Sequence, residues 1–131
     1  MTTILLVDDD VNNASLLEDV FSYDGIGARL VTANCGEKVL PLAVSLQPAL
    51  ILMDLQLPGI DGLEVTADLK HNPLTKDIPV WAVTACAMSG DRERARDAGC
   101  CKYFTKPFSM RDFSHCVKSF MEHHNETITA T

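Results

Sequence analysis

The chain is short of positive charge. Eleven Lys and Arg stand against 18 Asp and Glu, a formal net charge of −7 over 131 residues. Binding to a phosphate backbone needs a concentrated basic footprint, so the balance argues against nucleic acid and against anionic membrane surfaces. Apolar runs are short as well, and none approaches the roughly 20 residues that span a bilayer. Met1-Thr2-Thr3 leads straight into an apolar stretch with no charged segment before it. No secretory signal is read, and a cytoplasmic protein is expected. The five cysteines are odd in number and lack any C-x-x-C spacing, which argues against a zinc site or a disulfide framework. Cys100 and Cys101 are adjacent, and sequence neighbours rarely meet disulfide geometry without backbone strain. There is no internal repeat, low-complexity block or interdomain linker. One domain over residues 1–124 is expected, with a flexible tail over 125–131.

What is present is an alternation of short apolar runs with helical patterns. Ile4-Leu5-Leu6-Val7, Leu50-Ile51-Leu52-Met53 and Val80-Trp81-Ala82-Val83 read as strands buried on both faces, and Tyr103-Phe104 as a shorter one. A weaker strand covers about 28–32. Helices are expected after each strand. The first carries Leu16, Leu17, Val20 and Phe21 as an apolar stripe, with Asp10, Asn12 or Asn13 as its cap. The second runs from near Gly36 to Leu46 and starts at or kinks at Pro41. The third reaches about His71. The fourth covers about 89–98 and is closed by Gly99 in a left-handed conformation. The fifth covers about 109–123, with Phe113, Cys116, Val117, Phe120 and Met121 facing inward. Five βα units with short connections predict an α/β fold: a flavodoxin-like, doubly wound, five-stranded parallel sheet of order 2-1-3-4-5 with five helices.

In such a sheet ligands bind beyond the carboxyl ends of the strands, and the switch point lies between strands one and three. Asp8, Asp9, Asp54, Thr84 and Lys106 all stand at or just past strand ends. Three carboxylates brought together need a cation to neutralise them, and a hard divalent ion suits them. Mg²⁺ (or Mn²⁺) is expected on Asp9 and Asp54, on Asp8 through water, and on a backbone carbonyl such as that of Gln56. The plainer reading of Asp8-Asp9-Asp10 is a helix cap that favours the helix dipole. Asp54 weighs against it, because a carboxylate ending a buried apolar run costs desolvation unless it is used. Carboxylates accept phosphoryl groups as nucleophiles, with ammonium and hydroxyl groups stabilising the transferring oxygens. Lys106 and Thr84 are candidates for those roles.

Ile4-Leu5-Leu6-Val7-Asp8-Asp9-Asp10, the run from Ile51 to Gly62 containing Met53-Asp54 and Pro58-Gly59-Ile60-Asp61-Gly62, Val83-Thr84-Ala85 and Lys106-Pro107-Phe108 together resemble a response-regulator receiver domain over about residues 3–123. The resemblance implies that Asp54 takes a phosphoryl group from a sensor histidine kinase or phosphotransfer protein. It implies that Asp8 and Asp9 are the metal-binding acidic pair, Thr84 the switch hydroxyl, Tyr103 the switch aromatic and Lys106 the lysine of the family motif. It also implies a cis Lys106–Pro107 bond, the bond type where cis costs least. Gln56 and Cys86 match positions that tune phosphoryl lifetime, and Gln56 is a candidate to orient an attacking water. Cys101-Lys102 departs from the acidic residue and glycine common there, which alters the surface near the fourth helix and fifth strand.

On this reading phosphorylation draws Thr84 inward, Tyr103 follows, and the face of helix 4, strand 5 and helix 5 docks a downstream protein. A monomer or weak homodimer is expected. The domain catalyses its own phosphorylation and dephosphorylation without being a turnover enzyme. Two other readings use the same residues: a phosphate-independent binding module, and a Mg²⁺-dependent aspartyl phosphohydrolase. Against the second stand the missing second general acid and the lack of a substrate cap. A flavodoxin-type FMN carrier is disfavoured because Asp8-Asp9-Asp10 would repel phosphate.

Overall fold

A computed structural model describes residues 2–8, 11–23, 25, 27–55, 61–84, 90–105 and 110–130. The elements are β1 (Thr2–Val7), α1 (Val11–Tyr23), β2 (Ala28–Ala33), a 3₁₀ turn (Gly36–Lys38), α2 (Val39–Leu46), β3 (Leu50–Asp54), α3 (Gly62–His71), β4 (Val80–Thr84), α4 (Asp91–Ala98), β5 (Lys102–Thr105) and α5 (Met110–Ala130). The strands form one sheet of order β2-β1-β3-β4-β5. Every pairing is parallel. This is the expected flavodoxin-like architecture.

Burial explains why the central strands were the most legible. β3 and β4 are buried at every position, so their sequences carry no polar alternation. The sheet separates two apolar cores. On one face Leu5, Val7, Ile51, Met53, Val80 and Ala82 meet residues of α2, α3 and α4. On the other Ile4, Leu6, Leu50, Leu52, Trp81 and Val83 meet α1 and α5. The edge strands β2 and β5 are only partly buried, and their apolar runs are correspondingly weaker.

Several local expectations change. Leu17 and Phe21 bury into the second core, but Leu16 is 48% exposed, so it is not part of the inward stripe. Residues four apart share a helix face, whereas adjacent ones lie about 100° apart. α1 begins at Val11, so Asn12 and Asn13 lie within the helix rather than at its cap. Asp10, the remaining cap candidate, lies outside the described residues. Pro41 falls in the first turn of α2, where a missing N–H removes no intrahelical bond. Gly99 closes α4 at φ +118° as expected. Helix α5 continues to Ala130, through most of the stretch expected as a flexible tail. Met110–Ala130 contains neither Gly nor Pro to stop it.

Candidate functional site

The register of the three central strands fixes what stands at their carboxyl ends. Val7 pairs with Met53, and Asp54 pairs with Val83. Asp8 therefore follows the end of β1, Asp54 closes β3 and Thr84 closes β4, on neighbouring strands about 4.8 Å apart. All three are buried, with exposures of 9%, 7% and 2%. The backbone around them is tied across the sheet. The Asp8 amide donates to the Ala33 carbonyl at 3.0 Å, and the Leu55 amide donates to the Val83 carbonyl at 3.0 Å.

The start of α3 leans on this edge. The Asp61 carboxylate accepts the Leu63 amide at 2.9 Å and caps the helix. Gly62 follows, and its missing side chain matters. A Cβ there would stand 2.8 Å from the Asp54 carbonyl oxygen and 2.9 Å from the Leu55 Cα. The buried Thr66 hydroxyl donates to the Gly62 carbonyl at 2.9 Å and holds the turn in place. Sequence reasoning took Asp61-Gly62 as part of the run that resembles the family and missed this pair as site-positioning residues. An Asp directly before a helical run was the available signal for the cap.

Asp9, Gln56, Lys106 and Pro107 lie outside the described residues, and with them the second acid of the pair, the expected carbonyl donor, the ammonium and the cis bond. The described part of the site can be tested for fit to a divalent ion. Two carboxylates, each nine-tenths buried or more, end or follow adjacent strands. Like charges held that close favour a cation between them, and all-oxygen donors suit Mg²⁺ or Mn²⁺ over softer metals. The residues present fit the ion.

Tyr103 lies on the edge strand, paired with Ala82. Its ring packs against the core shared by α2, α3 and α4, and its hydroxyl oxygen is buried. The Arg92 guanidinium lies over the ring, 5.2 Å from its centroid. Cys100 is buried in the same core. Burial pushes its thiol up from the ordinary range, against the opposing pull of a long contact to the Thr66 hydroxyl. His71 and His115 are exposed, as expected for surface residues. Among the described residues no helix is long and apolar enough to cross a membrane.

Comparison with known proteins agrees with this geometry. The response regulator receiver domain model matches residues 4–118. The polar-differentiation response regulator DivK of Brucella ovis is 41% identical over 119 residues, covering 91% of this chain and 95% of that protein. A response regulator structure from Chloroflexus aurantiacus J-10-fl superposes with a TM-score of 0.81 at 32% identity, covering 92% of this chain and 98% of that one. The receiver domain of the sensor histidine kinase PA1611 from Pseudomonas aeruginosa PAO1, solved with magnesium coordinated in its active-site cleft, gives 0.79 at 29% identity, with coverages of 92% and 98%. Match, fold and strand-end chemistry converge: the chain belongs to the response regulator receiver domain family of two-component signalling.

Proposed function

We propose that Asp54 accepts a phosphoryl group from a phosphohistidine on a sensor histidine kinase or phosphotransfer protein, and that the chain signals the result by docking. The observation that carries this reading is the position of Asp54: 7% exposed, at the last residue of β3, flanked by the strand ends bearing Asp8 and Thr84. An Asp54 carboxylate oxygen attacks phosphorus. The phosphorus–nitrogen bond breaks, its electron pair stays on the imidazole, and the imidazole leaves as the neutral base after taking up a proton where one is needed. Thr84 donates its hydroxyl to a phosphoryl oxygen, and Lys106 supplies a cation to the same group. Asp9, Asp54 and the Gln56 carbonyl, with Asp8 through water, would hold Mg²⁺ (or Mn²⁺), and the ion would supply positive charge to offset the negative charge of the site. Hydrolysis of the acyl phosphate returns Asp54, so the chemistry is self-limited signalling rather than substrate turnover. Thr84 and Tyr103 form the bistable pair, and the α4–β5–α5 face is the output surface.

Intact-mass spectrometry after incubation with Mg²⁺ and acetyl phosphate tests the reading. A gain of one phosphoryl group is expected, abolished in Asp54→Asn and by a chelator. Gain at the wild-type level in Asp54→Asn, or no gain from either acetyl phosphate or a phosphorylated histidine donor, would refute it.

A further inference from the structure

We propose that the cavity between α4, β5 and α5 seats an acidic partner segment, a peptide that sets carboxylates against Arg92, Arg96 and Lys102 and an apolar side chain on the floor between them. The inference rests on the receiver reading above and assigns the chemistry of the partner taken by its output face.

The cavity has a volume of about 420 Å³. Its charged lining consists of Arg92, Arg96 and Lys102, and no carboxylate lines it among the described residues. Sequence alone does not show this sorting, because α4 reads Asp91-Arg92-Glu93-Arg94-Ala95-Arg96-Asp97, with both signs interleaved. The helical period separates them. Arg92 and Arg96 are four apart and flank the buried Ala95, so they share the face toward β5. Arg94 turns away and pairs with Asp91. Lys102 adds a third cation from the edge strand.

Two of these cations are held in place. Arg92 lies over the Tyr103 ring, and the Lys102 ammonium lies 5.4 Å from the Trp81 ring centroid. Side chains parked on aromatic faces lose less freedom when they take up a carboxylate. Between them the lining is apolar or weakly polar, with Ala95, Phe104 and Cys116. A floor of that kind takes a hydrophobic side chain rather than a small inorganic anion.

Charge complementarity selects the occupant. The chain as a whole carries −7, so its overall field opposes an acidic partner, and a patch of cations without carboxylates is where one can be received. At physiological ionic strength the field of each cation decays over about 8 Å, so the cavity's own charges dominate the contact. A nucleic acid would be repelled over a far longer track, and it requires an extended basic groove rather than one cavity.

Short random peptides displayed against the wild-type chain and against Arg92→Glu/Arg96→Glu/Lys102→Glu test the proposal. All three residues are exposed, so the variant should fold, and circular dichroism checks that. The wild type is expected to enrich peptides rich in Asp and Glu around an apolar residue. The variant is expected to bind them about tenfold or more weakly at low ionic strength. Amide shift mapping with an enriched peptide should mark residues 92–96, 101–104 and 116. Four results would overturn the proposal: no enrichment, enrichment without an acidic excess, equal binding to the variant, or displacement by a short single-stranded oligonucleotide. Self-association abolished in the variant would assign the cavity to a second copy and overturn it too. Phosphoryl gain is measured by intact mass on the same samples, so a failure of Asp54 to accept phosphate is read separately from the cavity's charge preference.

Discussion

Gly62→Ala should damage both stability and phosphoryl acceptance, and the structure sets the size of the effect. The new Cβ would meet the Asp54 carbonyl oxygen at 2.8 Å, the Leu55 Cα at 2.9 Å and the Leu55 Cδ2 at 3.3 Å. The two closest atoms belong to backbone. They cannot rotate away, and both are tied into the sheet through the pairing of Asp54 with Val83 and the Leu55 amide bond to the Val83 carbonyl. Overpacking of this kind costs about 1–3 kcal/mol. Replacing a helical Gly with Ala returns up to about 1 kcal/mol of propensity, and less in the first turn. A net loss of about 1–2 kcal/mol follows, or roughly 3–6 °C in Tm for a domain of this length. Gly27→Ala is the control, since a Cβ there has nothing within 4 Å and its φ is not positive. That substitution should be neutral or stabilise by up to about 1 kcal/mol. Thermal unfolding by circular dichroism compares the two, with intact-mass time courses of phosphorylation alongside. The helix start must move off the Asp54 backbone, so Gly62→Ala should also slow phosphoryl gain. A Gly62→Ala protein as stable as Gly27→Ala and phosphorylated at the same rate would refute the close-approach argument.

Phe113→Ala should cost about 3–5 kcal/mol, because the ring is 2% exposed and packs edge-on against Phe104 with centroids 5.1 Å apart. Trp81 is the sole tryptophan and lies in the same cluster, so its fluorescence reports the urea midpoint directly; a loss under about 1 kcal/mol would contradict the packing. Cys101 should alkylate rapidly in the folded protein, whereas Cys100 should wait for opening, since one thiol is exposed and the other buried. Burial raises the Cys100 pKa above its unfolded value of about 8.5, so its contribution to stability is complete below that pH and is lost as pH rises through the folded value. Wild type should therefore lose its stability margin over Cys100→Ala on alkaline titration; a margin that grows with pH would refute the assignment.

The parts of this fold that could be read from the chain are those where burial is complete. Leu50-Ile51-Leu52-Met53 has no polar position because it lies between two cores, and its apolar run announces a central strand. The same logic located Asp54 and Thr84, since a polar residue directly after such a run stands at the sheet's carboxyl edge. Leu16 was misplaced because Leu16 and Leu17 are chemically identical, and only the rotation of α1 against α5 decides which one is covered. The helix of 109–123 extends to Ala130 because no Gly or Pro after Met110 stops it, whereas the tail was expected only because chain ends commonly fray. The role of Gly62 was missed for a different reason. Its constraint comes from Asp54, eight positions earlier, and a motif read along the chain does not show a close approach between separate elements.

The geometry of β4 and β5 gives the proposed signal a short route. Ala82 pairs with Tyr103 and Thr84 with Thr105, so Thr84 lies two residues beyond the position beside Tyr103. Alternation along a strand puts Ala82 and Thr84 on one face, the face on which Tyr103 packs against the core. Ala82 is the small residue beside Tyr103 on that face, and it leaves room for the ring over the sheet. Lys102 immediately precedes Tyr103 and points to the opposite face, over Trp81. A displacement of β5 therefore moves the Tyr103 ring and the Lys102 ammonium together, on both sides of an edge strand that has a neighbour on only one side. On the proposed reading, a movement of Thr84 toward a phosphoryl group on Asp54 need not cross the domain to reach the cation cavity. It has to shift one strand whose consecutive residues already belong to both sites.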